Sequence, residues 1–198
     1  MLKRSLDFLI SFGSFIVLFP VFMVMVLFIK VAVGSPIFYQ QERVGLNGKI
    51  FKLYKFRTMI VDADKIGTSV TTKYDSRITP IGRFLRRFKL DELPQLINVL
   101  KGDMSFVGPR PDVPGFADKL KGEDRIILTV RPGITGPATL KYRNEEALLA
   151  AQADPDKYNA EVIYPDKVRL NREYVKNQSF LGDMKYFLMT VFGGPFHE

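Results

Sequence analysis

The chain of 198 residues has no cysteine and no tryptophan, and its single histidine is His197, one residue from the end. Without cysteine there are no thiol nucleophiles, disulfides or thiolate metal sites. His197 is poorly placed to act as the base of a buried catalytic triad. The phosphate-cradling patterns G-x-x-x-x-G-K-[ST] and G-x-G-x-x-G are absent. Asp62-Ala63-Asp64 with Gly67 has the outline of a calcium loop, but Ile66 takes a ligand position and Lys73 stands where the closing glutamate belongs. Catalysis is left to carboxylates, hydroxyls, lysine, arginine or a metal held through oxygen.

Acidic residues are scarce in the first half. Residues 1–100 carry 15 basic and 7 acidic side chains, whereas residues 101–198 carry 14 of each, so the net charge of +8 lies wholly in the first half. A partner drawn by that charge is anionic: lipid headgroups, a phosphorylated substrate or nucleic acid. No nucleic-acid recognition motif accompanies it. The length suits one domain with a sizeable core.

Phe8 to Ile29 contains no charged residue, which is long enough to cross a bilayer. It is too long for the apolar part of a signal peptide. Pro20 lies mid-run, where it removes a backbone donor and favours a bend, dividing the run into arms Phe8–Phe19 and Pro20–Ile29. Both flanks are basic, with Lys3 and Arg4 before and Lys30, Arg43, Lys49 and Lys52 after, whereas a spanning helix gathers its basic residues on one side. On these residues alone a kinked spanning helix and a re-entrant hairpin both stay open.

Ile37 to Arg57 predicts a β-hairpin turning at Gly45-Leu46-Asn47-Gly48, with Lys49, Lys52, Lys55 and Arg57 on its return strand. That strand reads either as a solvated edge or as a wall facing phosphate. Residues 60–79 read as a polar loop. Ile81, Phe84, Leu85 and Phe88 then form one apolar helical face, with Arg83, Arg86, Arg87 and Lys89 around it, as suits an interfacial helix. Leu93, Leu96, Ile97 and Leu100 predict a second helix, which Pro94 requires to begin near Asp91 and which Gly102 ends. Asp91 is thereby placed at a helix start behind a run of arginines, where dipole and charge both favour the carboxylate. It is an available nucleophile or metal ligand, or simply a cap. Prolines on both sides fix Arg110 in Pro109-Arg110-Pro111, a rigid presentation suited to bidentate phosphate binding. Helices are expected over Glu145–Gln152, from about Asp166 to Lys176, and from Ser179 to Phe192.

The block Leu90-Asp91-Glu92-Leu93-Pro94-Gln95-Leu96 through Asn98-Val99-Leu100-Lys101-Gly102-Asp103-Met104-Ser105-Phe106-Val107-Gly108-Pro109-Arg110-Pro111 resembles the signature of the bacterial sugar transferases, the monotopic phosphoglycosyl transferases. Glu42-Arg43-Val44-Gly45, Phe51 to Met59, Thr79-Pro80-Ile81-Gly82-Arg83 and Arg131 to Gly136 extend the likeness over nearly the whole chain, in its minimal form. The resemblance implies an α+β, predominantly helical fold: a re-entrant membrane helix-break-helix over residues 1–30, bent at Pro20, then a catalytic domain over 31–198 on the cytoplasmic face of the bacterial inner membrane, with a small β-hairpin and amphipathic interfacial helices. It implies transfer of a sugar 1-phosphate from a UDP-sugar to polyprenol phosphate, with release of UMP, as the first membrane step of a glycan pathway. By match, Asp91 is the nucleophile and forms a covalent phosphosugar intermediate. Glu92 is its partner, as metal ligand or proton acceptor, and both contact magnesium. Lys55, Arg57, Arg86 and Arg110 fall to the phosphates and Arg143 to the nucleotide side. Membrane lipid is a further partner; nucleic acid is not. Two positions depart from the family pattern: Phe19 precedes the bend proline where serine is usual, and Pro137 to Tyr142 replaces a Trp-Ala-Gln-Val type segment. The rival readings are a non-catalytic basic membrane-surface protein and a direct glycosyl transferase that releases UDP.

Overall fold

A computed structural model describes residues 2–66, 71–72 and 74–193. Gly67, Lys73 and His197, named above, lie outside them. The order of elements is a long helix, a hairpin, and a run of short helices stitched by two three-residue strands. The expected α+β class, dominated by helix, is what the chain adopts.

Helix α1 (Leu2–Ala32) is continuous through Pro20, so the two expected arms form one helix. Proline withdraws only its own N–H and crowds the turn before it, while the surrounding bonds persist. Among the described residues α1 is the one helix long and apolar enough to cross a membrane. Leu9, Ile16, Val17, Leu27 and Val31 are among its many exposed apolar side chains.

The polar start of α1 is built into the rest of the protein. Arg4 donates to the carbonyls of Val99 and Leu100, covering the C-terminal end of the next core helix. Lys3 donates to Val107 O at 2.8 Å and pairs with Asp183, which also accepts from the Tyr174 hydroxyl. Buried Asp7 accepts from the Phe106 N–H, and buried Ser11 donates to Leu96 O. At the far end Ile29, fully buried, packs with Phe56 and Leu85, and Phe22, Met25 and Val26 join that cluster. Both ends of α1 therefore grip one body. Burying each large apolar side chain there stabilises by roughly 1.5–3 kcal/mol.

Strands β1 (Phe38–Val44) and β2 (Ile50–Phe56) pair antiparallel, Phe38 opposite Phe56 and Val44 opposite Ile50. Asn47 makes the turn with φ 56°, a conformation asparagine tolerates. Helix α2 (Pro80–Arg87) starts at Thr79, whose Oγ1 accepts from the Gly82 N–H at 3.0 Å. Gly82 lies so close to the backbone of Thr58 that a Cβ there would come within 1.9 Å of its carbonyl oxygen. The predicted apolar face of α2 divides: Leu85 enters the core, while Phe84 and Phe88 meet as tilted rings with centroids 5.1 Å apart on the surface.

The chain then makes a 3-10 turn over Leu90–Glu92 and continues as α3 (Gln95–Lys101), closed by Gly102 at φ +91°. Strand β3 (Ser105–Val107) leads into Pro109-Arg110-Pro111 and pairs in parallel with β4 (Gly133–Thr135). After β4 come α4 (Pro137–Lys141), α5 (Glu145–Ala150), α6 (Pro155–Tyr158), α7 (Tyr164–Lys176) and α8 (Phe180–Phe192). Ser179 caps α8 as its sequence predicts. No side chain of α8 is fully buried, and Phe180, Leu181, Leu188, Val191 and Phe192 are exposed.

Candidate active site

Four elements meet around the acidic pair: β2, the 3-10 turn that carries Asp91 and Glu92, the loop after β3, and α2. The turn is held between α2 and α3, with Glu92 N–H donating to Lys89 O and Leu93 N–H to Leu90 O. Lys89 accommodates it by adopting φ 56°. Pro94 is the residue before α3, so Asp91 sits one turn outside the α-helix proper and caps nothing. This corrects the placement expected from the sequence.

Glu92 is the hub. Arg110 grips it bidentately, Nη2 donating to Oε1 at 2.5 Å and Nη1 to Oε2 at 3.2 Å. Lys55, from β2, donates to Oε1 at 3.4 Å. Burial disfavours charge on Glu92, but the adjacent Arg110 and Lys55 outweigh it and hold the carboxyl well below the ordinary carboxylate range. Reciprocally, Glu92 raises the pKa of Arg110. Burial lowers that of Lys55 despite the glutamate.

Asp91 is different. It is 6% exposed, and its Oδ1 is buried with no hydrogen-bond partner. Burial raises its pKa, opposed by Lys55, Arg86 and Lys89. The dipole and arginines were expected to dominate; desolvation does instead. The two neighbouring carboxylates are thus driven apart: cations hold Glu92 charged, while burial raises the pKa of Asp91 and leaves its Oδ1 without a partner.

Arg86 faces the same region and contributes to the field at Asp91. Its Nε donates to Thr58 Oγ1 at 3.0 Å and its Nη1 to Glu146 Oε1 at 2.9 Å. Arg57 follows β2, its N–H bonded to Ile37 O and its Nη1 buried without a partner. Arg143 lies between α4 and α5 and donates from Nε to Leu140 O at 3.3 Å. The structure thus gathers Asp91, Glu92, Lys55, Arg110 and Arg86, while the backbone N–H of Arg57 bonds to Ile37 O and Arg143 Nε to Leu140 O.

Several residues of the site were not singled out from the sequence. Arg43 donates to Pro111 O at 3.1 Å, and burial with the nearby Arg110 charge lowers its pKa to about 10. Asp112 is raised to about 6, chiefly by burial. Glu145 binds Lys167 through both oxygens at 2.7 Å. Only the Glu42-Arg43-Val44-Gly45 motif signalled any of these.

Among the described residues no group of three or more acidic or histidine side chains is gathered to hold a metal. Magnesium is content with one or two carboxylates together with substrate phosphates. The Asp91 carboxylate fits that mode, whereas both oxygens of Glu92 are engaged by Arg110 and Lys55.

Two contrasting carboxylates stand among converging lysine and arginine side chains, an arrangement suited to binding a phosphorylated group. The bacterial sugar transferase family profile matches residues 1–194, and the chain belongs to that family. It is similar to the uncharacterized sugar transferase EpsL of Bacillus subtilis, with 38% identity over 195 residues, covering 96% of this chain and 85% of that one. It is similar to the exopolysaccharide production protein ExoY of Sinorhizobium fredii, with 34% identity over 204 residues, covering 96% and 83%. The UDP-glucose:undecaprenyl-phosphate glucose-1-phosphate transferase of Escherichia coli is 35% identical over 199 residues, which are 98% of this chain but 40% of that one.

Proposed function

We propose that the protein is a phosphoglycosyl transferase that moves a sugar 1-phosphate from a UDP-sugar to polyprenol phosphate, in two steps through Asp91. An oxygen of Asp91 attacks the sugar-bearing phosphorus; the new P–O bond forms as the bridging P–O bond breaks, and its electron pair leaves with UMP. A phosphate oxygen of the polyprenol phosphate then attacks the same phosphorus and frees the aspartate. The observation that carries this reading is the contrast within the pair: Asp91 keeps a buried oxygen without a partner, which costs stability with no structural return, while Glu92 spends both oxygens fixing Arg110 and Lys55. Arg110, Lys55 and Arg86 neutralise charge on the diphosphate and the leaving phosphate. Asp91 would hold magnesium, which would supply Lewis-acid stabilisation of the same charge. The relatives' names supply the donor and acceptor classes.

The membrane part of the proposal is a re-entrant α1 that enters and leaves by the cytoplasmic face. Its support is that Lys3 and Arg4 at one end and Ile29 at the other bind the same domain. The aromatic surface of α2, with Arg83 and Arg87 beside it, and the apolar surface of α8 suit helices lying in the headgroup layer. One substrate is soluble and the other is lipid-embedded, so an interfacial site serves both.

The test is to incubate the protein with magnesium, undecaprenyl phosphate and a panel of UDP-sugars, and to identify the nucleotide released. UMP is expected. Release of UDP would mark direct glycosyl transfer, and no product from any sugar would leave a basic membrane-surface protein.

A further inference from the structure

Gln95 is a buried polar side chain that the mechanism above does not use. It is 1% exposed, and its Nε2 has no hydrogen-bond partner. An amide donor left unpaired in a protein interior is costly and calls for an explanation.

Its position supplies one. The backbone runs right-handed helical from the 3-10 turn through Leu93 (φ −51°, ψ −38°) and Pro94 (φ −61°, ψ −14°) into α3. Asn98, three residues after Gln95 and on the same side of the helix, faces β2: its Nδ2 donates to Lys52 O at 2.8 Å and its Oδ1 accepts from Tyr54 N–H at 3.0 Å. Gln95 therefore lies along the β2-facing side. Asp91, one turn before it, presents the matching orphan, a buried oxygen without a donor. A buried donor and a buried acceptor, both unsatisfied, stand one turn apart along the chain.

We infer that Gln95 is a positioning residue, whose side-chain amide donates to the inner oxygen of Asp91 when the site is engaged and aims the other oxygen at the reacting phosphorus. This rests on Asp91 being the reacting carboxylate. An ionised carboxylate offers about four lone-pair sites, so an inner donor does not compete with a ligand or substrate on the outer side. Gln95 lies too deep to touch substrate itself.

Gln95→Met keeps the volume and removes the donor. With magnesium, undecaprenyl phosphate and whichever of UDP-glucose, UDP-galactose and UDP-N-acetylgalactosamine the wild type turns over, kcat should fall about tenfold to a hundredfold, the worth of a hydrogen bond to a charged group. KM for the UDP-sugar should stay within about twofold. The melting temperature should hold or rise, because a buried unsatisfied amide has gone. Gln95→Glu should be slower still, since it sets a carboxylate against a carboxylate. A wild-type kcat in Gln95→Met, or a loss that tracks a fall in melting temperature or a rise in KM, overturns the proposal. Independently of turnover, the side-chain amide resonance of Gln95, assigned by its loss in Gln95→Met, should differ between the wild type and Asp91→Asn when both carry magnesium and the UDP-sugar; an unmoved resonance contradicts the contact. A wild type that never forms a phosphosugar adduct, yet loses kcat alone in Gln95→Met, would reject the covalent step while keeping the orienting role.

Discussion

Asp91 and Glu92 are adjacent and chemically similar, yet their surroundings act on them oppositely: burial raises the pKa of Asp91, while Arg110 and Lys55 hold Glu92 charged. Glu92 aligns Arg110, so the guanidinium's planar fork, not only its charge, is in use. Arg110→Lys should therefore lower kcat/KM by about tenfold to a hundredfold, with folding judged by an unchanged melting temperature; near-normal turnover would show that the bidentate geometry is unimportant. The pair and Arg110 were legible in the sequence from the Asp-Glu and Pro-Arg-Pro patterns. The unpartnered state of Asp91 was not, because burial depends on what β2 and α2 bring from elsewhere in the chain.

Asp112 gives a second residue-scale test. Its folded pKa of about 6 exceeds the ordinary aspartate value, so the folded state holds that proton more tightly than the unfolded chain. Its contribution to stability is fully present below pH 4 and is lost as pH rises through about 6. Asp112→Asn should raise the melting temperature at pH 8, by at most about 3 kcal/mol of stability, and change it little at pH 4.

Among elements, the hairpin was legible because Asn-Gly turn chemistry flanks two β-rich runs, and α3 because Pro94 and Gly102 bracket it. Strands β3 and β4 were not: three residues carry no alternation to read, and their parallel partner lies across a long connection. Nor was the docking of α5, whose Glu146 meets Arg86 from 60 residues away. Glu146 holds the Arg86 guanidinium that the diphosphate is proposed to use. The Glu146 side chain is partly exposed, so the pair is weak. Glu146→Gln should lower KM for the UDP-sugar about two- to fivefold with kcat little changed; a raised KM would instead make Glu146 part of the substrate site.

At the scale of the whole molecule, the long helix and the domain form one unit. The sequence left a spanning helix and a hairpin both open because the run is long enough to span and a kinked spanning helix also tolerates proline. The bonds from Lys3, Arg4, Asp7 and Ser11 to α3, β3 and α8 lie far along the chain and could not be read from the run itself. They predict that residue 2 and the domain stay on one side of the membrane. Because the chain has no cysteine, a single cysteine at Leu2 or at Lys121 can be labelled without background. Both should resist an impermeant maleimide in intact cells and react after permeabilisation. Labelling of one position and not the other in intact cells would contradict the re-entrant arrangement.

The central claim is that Asp91 takes the phosphosugar. The most direct measurement is intact-protein mass spectrometry after rapid quench, with magnesium and UDP-sugar present and polyprenol phosphate withheld. The account predicts a mass gain of one phosphosugar, mapped to Asp91, with up to about one equivalent of UMP released per site. Adding acceptor should remove it, and Asp91→Asn should abolish both signals. A wild type that turns over well with acceptor, yet shows neither adduct nor acceptor-independent UMP, would contradict the account.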